Sequence, residues 1–180
     1  MALTVKVDPG KHTIRITKPG YFPIKFDITV EAGKTYNISR TLIPTNAVTI
    51  QKVEITPSSP KKGDKITVKV TVKNNTSTTL KCRLRVWIVN VTIIGNPTFS
   101  LGAKATYTWT GTWTADRTGS LRLRVAVDVH VEEHENGADY YETDSTYKDF
   151  TVSERKATIT ITTSPSGASV YVDGKYVGTT

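Results

Sequence analysis

His130, Glu132 and His134 stand at alternate positions, so on a regular strand their side chains share one face. With Glu135, Asp139 and Asp144 nearby, the imidazoles would suit zinc and the carboxylates calcium. The spacing His-Val-Glu-Glu-His differs from the helical His-Glu-x-x-His zinc motif, and a strand is the wrong frame for that motif. The competing reading pairs the acids across strands with Arg83, Arg85, Arg122 and Arg124, each pair contributing ~0.2–1 kcal/mol. The pairing reading is preferred, and no metal or cofactor is expected.

Other chemistry has little support. The chain has no Gly-x-Ser-x-Gly elbow and no glycine loop for phosphate. Neither Cys82 nor the 3 histidines come with the sequence partners that mark a nucleophile or a base. An enzyme is therefore not expected. Cys82 is the lone cysteine, which excludes an intrachain disulfide, and it alternates with Leu84, Val86 and Ile88 as a small buried apolar residue would. Asn37, Asn74, Asn75 and Asn90 each begin an Asn-x-Ser/Thr triplet, a candidate N-glycosylation signal that a threonine-rich chain also produces by chance.

The elements that would carry these residues are strands. Counts of 31 Thr, 19 Val and 14 Ile against 7 Leu and 1 Met favour the pleated sheet, and no segment shows a helical apolar stripe. The formal charge of +8 comes from lysines and arginines that mostly alternate with apolar residues, which fits solvated sheet faces better than nucleic-acid binding. One Gln, one Met and one Cys beside abundant Lys lean towards a heat-adapted source. The first 30 residues lack the apolar core of a signal peptide, and no stretch is long enough to span a membrane. Action outside the cell would then make this a processed or excised piece.

Leu3, Val5 and Val7 alternate with polar residues up to an Asp8-Pro9-Gly10-Lys11 turn; His12, Ile14 and Ile16 continue to Lys18-Pro19-Gly20. Phe22, Ile24, Phe26, Ile28 and Val30 place five large apolar side chains on one face, and Pro23 marks a sheet edge. A further strand is expected from Thr35 to Ile43. From Ala47 the strands lengthen, at sandwich-like spacing. Parity switches around Gln51-Lys52, which predicts a bulge. Ile66 to Val72, then Cys82 to Ile88, then Leu121 to Val131 supply inward faces, with Lys81, Arg83, Arg85 and Trp87 outward. Residues 92–103 read as a loose crossing. Tyr107, Trp109 and Trp113 read as core in preference to a sugar platform, and an acidic loop from Glu132 to Asp144 precedes the last strand.

The termini carry fixed motifs. Ser164, Pro165, Gly167, Ala168, Val170, Val172, Asp173, Gly174, Gly178 and Thr180, then Pro9, Gly10, Pro19, Gly20, Tyr21 and Gly33, resemble the PEGA repeat, a small β-domain of archaeal and bacterial surface proteins, with its two parts in inverted order. Ser166 stands where the family has Glu, and Met1-Ala2 where it has Pro. VEITPSSPKKGDKITVKVTVKNNT, with the later LRLRVAVD, resembles the immunoglobulin-like adhesion module called CARDB. The expected architecture is all-β: an immunoglobulin-like β-sandwich over 47–153, and a PEGA-type domain split between 1–43 and 157–180.

The tail fragment is too short to bury a core alone. Closure within one chain is opposed by three-residue linkers, each spanning only about 10 Å, between sandwich poles about 30 Å apart. Alternatively the tail of one molecule completes the head of the next, and this heterologous contact propagates into a filament. A third possibility is one period cut from a longer alternating array, which would still polymerise. The association face would comprise Leu3, Val5, Val7, Ile14, Ile16, Phe22, Ile24, Phe26, Ile159, Ile161, Val170 and Val172. The resemblances imply a non-enzymatic, extracellular structural module at a cell surface; strand completion between chains would make it a homo-oligomer, and the charge pattern gives no nucleic-acid partner. The alternative is an accessory module of a secreted protein that binds a cell-surface glycan or protein.

Overall fold

The computed structural model describes residues 3–132 and 140–180, and every regular element among them is a β-strand. The head forms a hairpin of β1 (Gly10–Ile16) and β2 (Ile24–Val30), with Ile14 opposite Phe26 and Ile16 opposite Ile24. The central strands are β3 (Val48–Thr56), β4 (Lys65–Asn74), β5 (Leu80–Ile88), β6 (Thr92–Gly95), β7 (Thr98–Leu101), β8 (Thr106–Thr114), β9 (Gly119–His130) and β10 (Tyr140–Val152). The tail adds a second hairpin, β11 (Ser169–Val172) and β12 (Lys175–Thr179).

The central strands make a sandwich of two antiparallel sheets, β3-β4-β8 and β10-β9-β5-β6, with β7 also on β5. Period two decides what faces inward: Ile66, Val68, Val70 and Val72 of β4 are buried, as are Cys82, Leu84, Val86 and Ile88 of β5 and Leu123, Val125, Val127 and Val129 of β9. Each such aliphatic side chain contributes ~1.5–3 kcal/mol by leaving water. Tyr107, Trp109 and Trp113 are partly buried and pack against this core, so they form no exposed platform. The close fit of Trp109 depends on two glycines. A Cβ at Gly95 would lie 2.2 Å from its Cζ2, and one at Gly111 would lie 2.1 Å from its Cη2.

The predicted bulge is present, as a register shift between Ile50 and Lys52 in β3. A second falls between Glu142 and Asp144 in β10. These two edge strands lie side by side without a ladder between them. The Asp144 carboxylate accepts a hydrogen bond from the Ile50 backbone N–H at 2.8 Å, and Lys148 Nζ donates to the Val53 carbonyl at 2.8 Å. A cleft of about 440 Å³ remains between them, lined in part by Gln51 and Tyr147. Bulges and a bridging lysine are the means by which edge strands avoid unwanted pairing.

Several expectations are corrected. Residues 92–103 contain two short strands, β6 and β7, both paired with β5. Conversely, residues 3–7, 35–43 and 157–163 carry strand-like alternation yet form no strand, because none has a ladder partner among the described residues. Asp128 lies on the expected outer face of β9 but is completely buried there.

Candidate functional site

The head and tail leave the sandwich at opposite poles. At one pole, Phe22 N–H donates to Ile43 O at 2.9 Å, Thr45 N–H donates to Gly20 O at 2.9 Å, and the Phe22 ring meets Tyr141 at 5.0 Å near the start of β10. At the other, just past the end of β10, Arg155 Nε donates to Lys62 O at 3.1 Å and its guanidinium pairs with Asp64. The 13 residues of β10, at ~3.3 Å each, set these poles about 40 Å apart. No ladder joins β1 or β2 to β11 or β12 among the described residues.

The proposed association residues fall into three states. Leu3 (89% exposed), Val5, Val7, Ile159 (71%), Ile161 and Val172 are open to solvent. Ile14 and Val170 are half-buried in their hairpins, Ile16 is half-buried against the core shared with the sandwich, and Phe26 is half-buried with the Arg40 guanidinium 4.5 Å from its ring centre. Phe22 and Ile24 depart from the expectation: both are buried in a core continuous with the sandwich, so they anchor the head to its own chain. The tail hairpin is drawn together by Gly167 N–H to Thr180 O at 2.7 Å and Thr180 N–H to Ala168 O at 3.1 Å. Its Tyr171 and Tyr176 rings meet edge to face at 5.6 Å and both remain exposed.

The outer face of the β10-β9-β5 sheet is a closed polar layer. Arg83 and Arg85 both donate to the buried Asp128, at 2.7–2.9 Å, and Glu142 receives Arg85 and Arg124 at 2.9–3.1 Å. Trp87 lies between the guanidinium carbons of Arg85 and Arg124, 5.7 and 4.7 Å from its ring centre. The hydrogen bond to Asp128 raises the Arg85 pKa further above its usual range, against the opposing effect of burial. This is the expected cross-strand pairing of Arg83, Arg85, Arg122 and Arg124 with acids, although Asp128, Glu142 and Asp149 supply the carboxylates.

The outer face of the β3-β4-β8 sheet is different. Lys65, Lys69 and Lys73 project from β4 opposite Thr114, Thr110 and Thr106, and Thr108 and Thr112 complete an exposed threonine row on β8. Among the described residues none of these three lysines lies within ion-pair distance of a carboxylate, although Lys69 stands across the ladder from Glu54 and helps to lower its pKa. Of the metal candidates, His130 packs against Tyr140 at 5.4 Å, Glu132 is exposed, and His134 lies outside the described residues. Among the described residues no three His, Cys, Asp or Glu side chains converge. Cys82 is fully buried, and that burial pushes its thiol up to about 12, which disfavours the reactive thiolate.

A family model for CARDB matches residues 42–143, more than half of the sequence. The chain belongs to the CARDB family. A model for the PEGA domain matches both flanks, residues 2–46 and 156–180. PEGA and CARDB are non-catalytic domain families typical of extracellular and surface proteins.

The CARDB region is similar to the CARDB domain of a Pyrococcus furiosus protein, crystallised in complex with di-metal ions, at 27% identity over 61% of this chain and 93% of that one (TM-score 0.47). A solution structure of that domain is similar at 26% identity over 59% and 93% (TM-score 0.45). An alkylpurine DNA glycosylase of Pseudomonas fluorescens, bound to DNA, is similar at 19% identity over 59% and 30% (TM-score 0.45). The curated proteins gave no match.

Sequence reasoning did not find the features that organise the CARDB surface. The burial of Asp128 was legible only in retrospect, as an acid with Arg83 and Arg85 on the paired strand. The bridging roles of Asp144 and Lys148 left no local signal, since their partners are backbone groups more than 90 residues away.

Proposed function

We propose that this chain is a structural repeat unit of a cell surface, joined head to tail through its divided PEGA domain. The observation that carries the reading is the placement of the two PEGA segments at opposite poles with apolar residues exposed on each. Leu3, Val5, Ile159 and Ile161 alternate as strand residues do, and in water their exposure is unfavourable by roughly 25 cal/mol per Å² of apolar surface. A neighbour's complementary segments would cover them and pair their backbones. Because the donor and acceptor surfaces differ, the contact is heterologous and generates an open filament unless its rotation closes a ring. Light scattering over a dilution series tests this. Mass should rise with concentration, and Val170→Asp, which puts a charge in the tail hairpin, should abolish the rise. A monomer mass at every concentration overturns the proposal.

A second reading, adhesion to an acidic cell-surface glycan, is favoured by the contrast between the two sandwich faces. Arginines of the β10-β9-β5 face are held by carboxylates at ion-pair distance, whereas Lys65 and Lys73 have no ion-pair partner among the described residues and Lys69 has only Glu54 across the ladder, all three beside a row of hydroxyls. Titration with a soluble polyuronate separates the readings. Lys65→Gln, Lys69→Gln and Lys73→Gln together should weaken binding at least tenfold while leaving self-association intact. Equal loss on neutralising three head lysines, Lys18, Lys25 and Lys34, would reduce the effect to net charge and remove this reading.

A further inference from the structure

The four Asn-x-Ser/Thr triplets are chemically alike in sequence, but the fold separates them. Asn74 is fully buried; its amide donates to Thr78 O, Leu101 O and Gly102 O at 2.8–3.0 Å, and its Oδ1 accepts from the Thr76 N–H and hydroxyl, both at 2.8 Å. A glycan on that nitrogen would remove donors from a satisfied polar group in the core, and the site has no room for a sugar. Asn75 Nδ2 donates to Asn46 O and Thr49 Oγ1, both at 3.1 Å, and so ties the start of β3 to the turn after β4. Modification there would break that tie.

Asn90 has the opposite character. It is exposed in the turn between β5 and β6, where Val91 N–H closes on Ile88 O at 3.0 Å, and its own φ is 58°. Asparagine is among the few side chains that adopt this left-handed region readily, so the backbone already presents residue 90 outward from a reverse turn. Among the described residues its side-chain amide has no hydrogen-bond partner, and Thr92 follows at the position the signal requires. Asn37 is also exposed, but it lies in a run without a ladder partner.

We propose that Asn90 is an N-glycosylation site. The inference rests on the extracellular part of the functional reading, because the donor is a lipid-linked oligosaccharide handled outside the cytoplasm. In the transfer, Asn90 Nδ2 attacks the anomeric carbon of the first sugar. The new C–N bond forms as the C–O bond to the lipid phosphate breaks; the lipid phosphate leaves with the electron pair, and the amide proton passes to a base of the transferase. No oxidant or reductant is needed.

The test is glycopeptide mass spectrometry on the protein isolated from its own cells, alongside protease accessibility of intact cells. The expected result is sugar-bearing peptides at Asn90 and unmodified peptides at Asn74 and Asn75. Thr92→Val should abolish occupancy while leaving Asn90 in its turn, and Asn90→Gly should do the same in a residue tolerant of positive φ. Unmodified Asn90 in a surface-accessible protein overturns this inference alone. Unmodified Asn90 in a protein inaccessible from outside overturns both it and the surface reading. Occupancy that survives Thr92→Val would show that the triplet does not direct the modification, which also overturns the proposal.

Discussion

Val70 of the sandwich and Ile159 of the tail belong to the same kind of sequence, a β-branched residue alternating with threonine or lysine, yet Val70 has no solvent exposure and Ile159 is 71% exposed. The difference lies in what faces them. β4 lies between β3 and β8 and beneath a second sheet, so its apolar side is sealed and its backbone paired on both edges. Among the described residues the run from residue 157 to 163 has neither neighbour. A strand pattern specifies which side chains share a face, but only a second surface supplied at the right place turns that face into a core.

The largest effects are expected within the sandwich. Asp128→Ala leaves Arg83 and Arg85 without their shared buried carboxylate and should destabilise the CARDB domain by about 3–5 kcal/mol, read from the urea midpoint. Leu84→Ala, in the apolar part of the same sheet, should cost about 2–5 kcal/mol. If either left the midpoint unmoved, the sandwich would not be the stable unit of this chain. Gly111→Ala comes next. Its methyl group would press into Trp109, and the displaced ring should cost about 1–3 kcal/mol with a change in tryptophan fluorescence.

Cys82 gives the comparison a chemical reporter. Its thiol, raised to about 12 by burial, should resist alkylation at pH 8.5 in the folded chain and react as the sandwich unfolds. Labelling that ran ahead of global unfolding would reveal local opening of β5. Val170→Asp should act in the other compartment, changing sandwich stability by less than about 0.5 kcal/mol while removing concentration-dependent association. A large loss of sandwich stability in that variant would mean the tail is part of the sandwich after all.

The smallest effect concerns the exposed pairs. Arg122 hydrogen-bonds Asp149 and holds its carboxyl below the usual 3.8. A depressed carboxyl pKa contributes stability that is present above the unfolded value and is lost as pH falls through the folded value. The difference between the parent chain and Asp149→Asn should therefore be slight at pH 7 and vanish on acidification below 3.8. A difference persisting at lower pH would have to come from packing rather than charge.

Most of the all-β reading was legible because alternation is a local property. Cys82, Leu84, Val86 and Ile88 could be assigned to one face without knowing what they meet, and the parity switch beside Gln51 marked the β3 bulge. β6 and β7, at four residues each, are too short for periodicity to separate them from a loop. The association residues were legible as apolar faces, but Phe22 and Ile24 could not be distinguished from Leu3 and Val5. That distinction depends on Tyr141 and Ile43, which reach Phe22 only in the folded chain.

The pleated strands, their inward faces and the PEGA motifs at both ends follow from local sequence, because backbone geometry and turn preferences act over a few residues. Tertiary structure decided which carboxylate is buried between two arginines, which asparagine stays free, and that the PEGA segments emerge at opposite poles. Each of those outcomes depends on groups far apart in the chain, whose approach follows from the pairing order of the sheets.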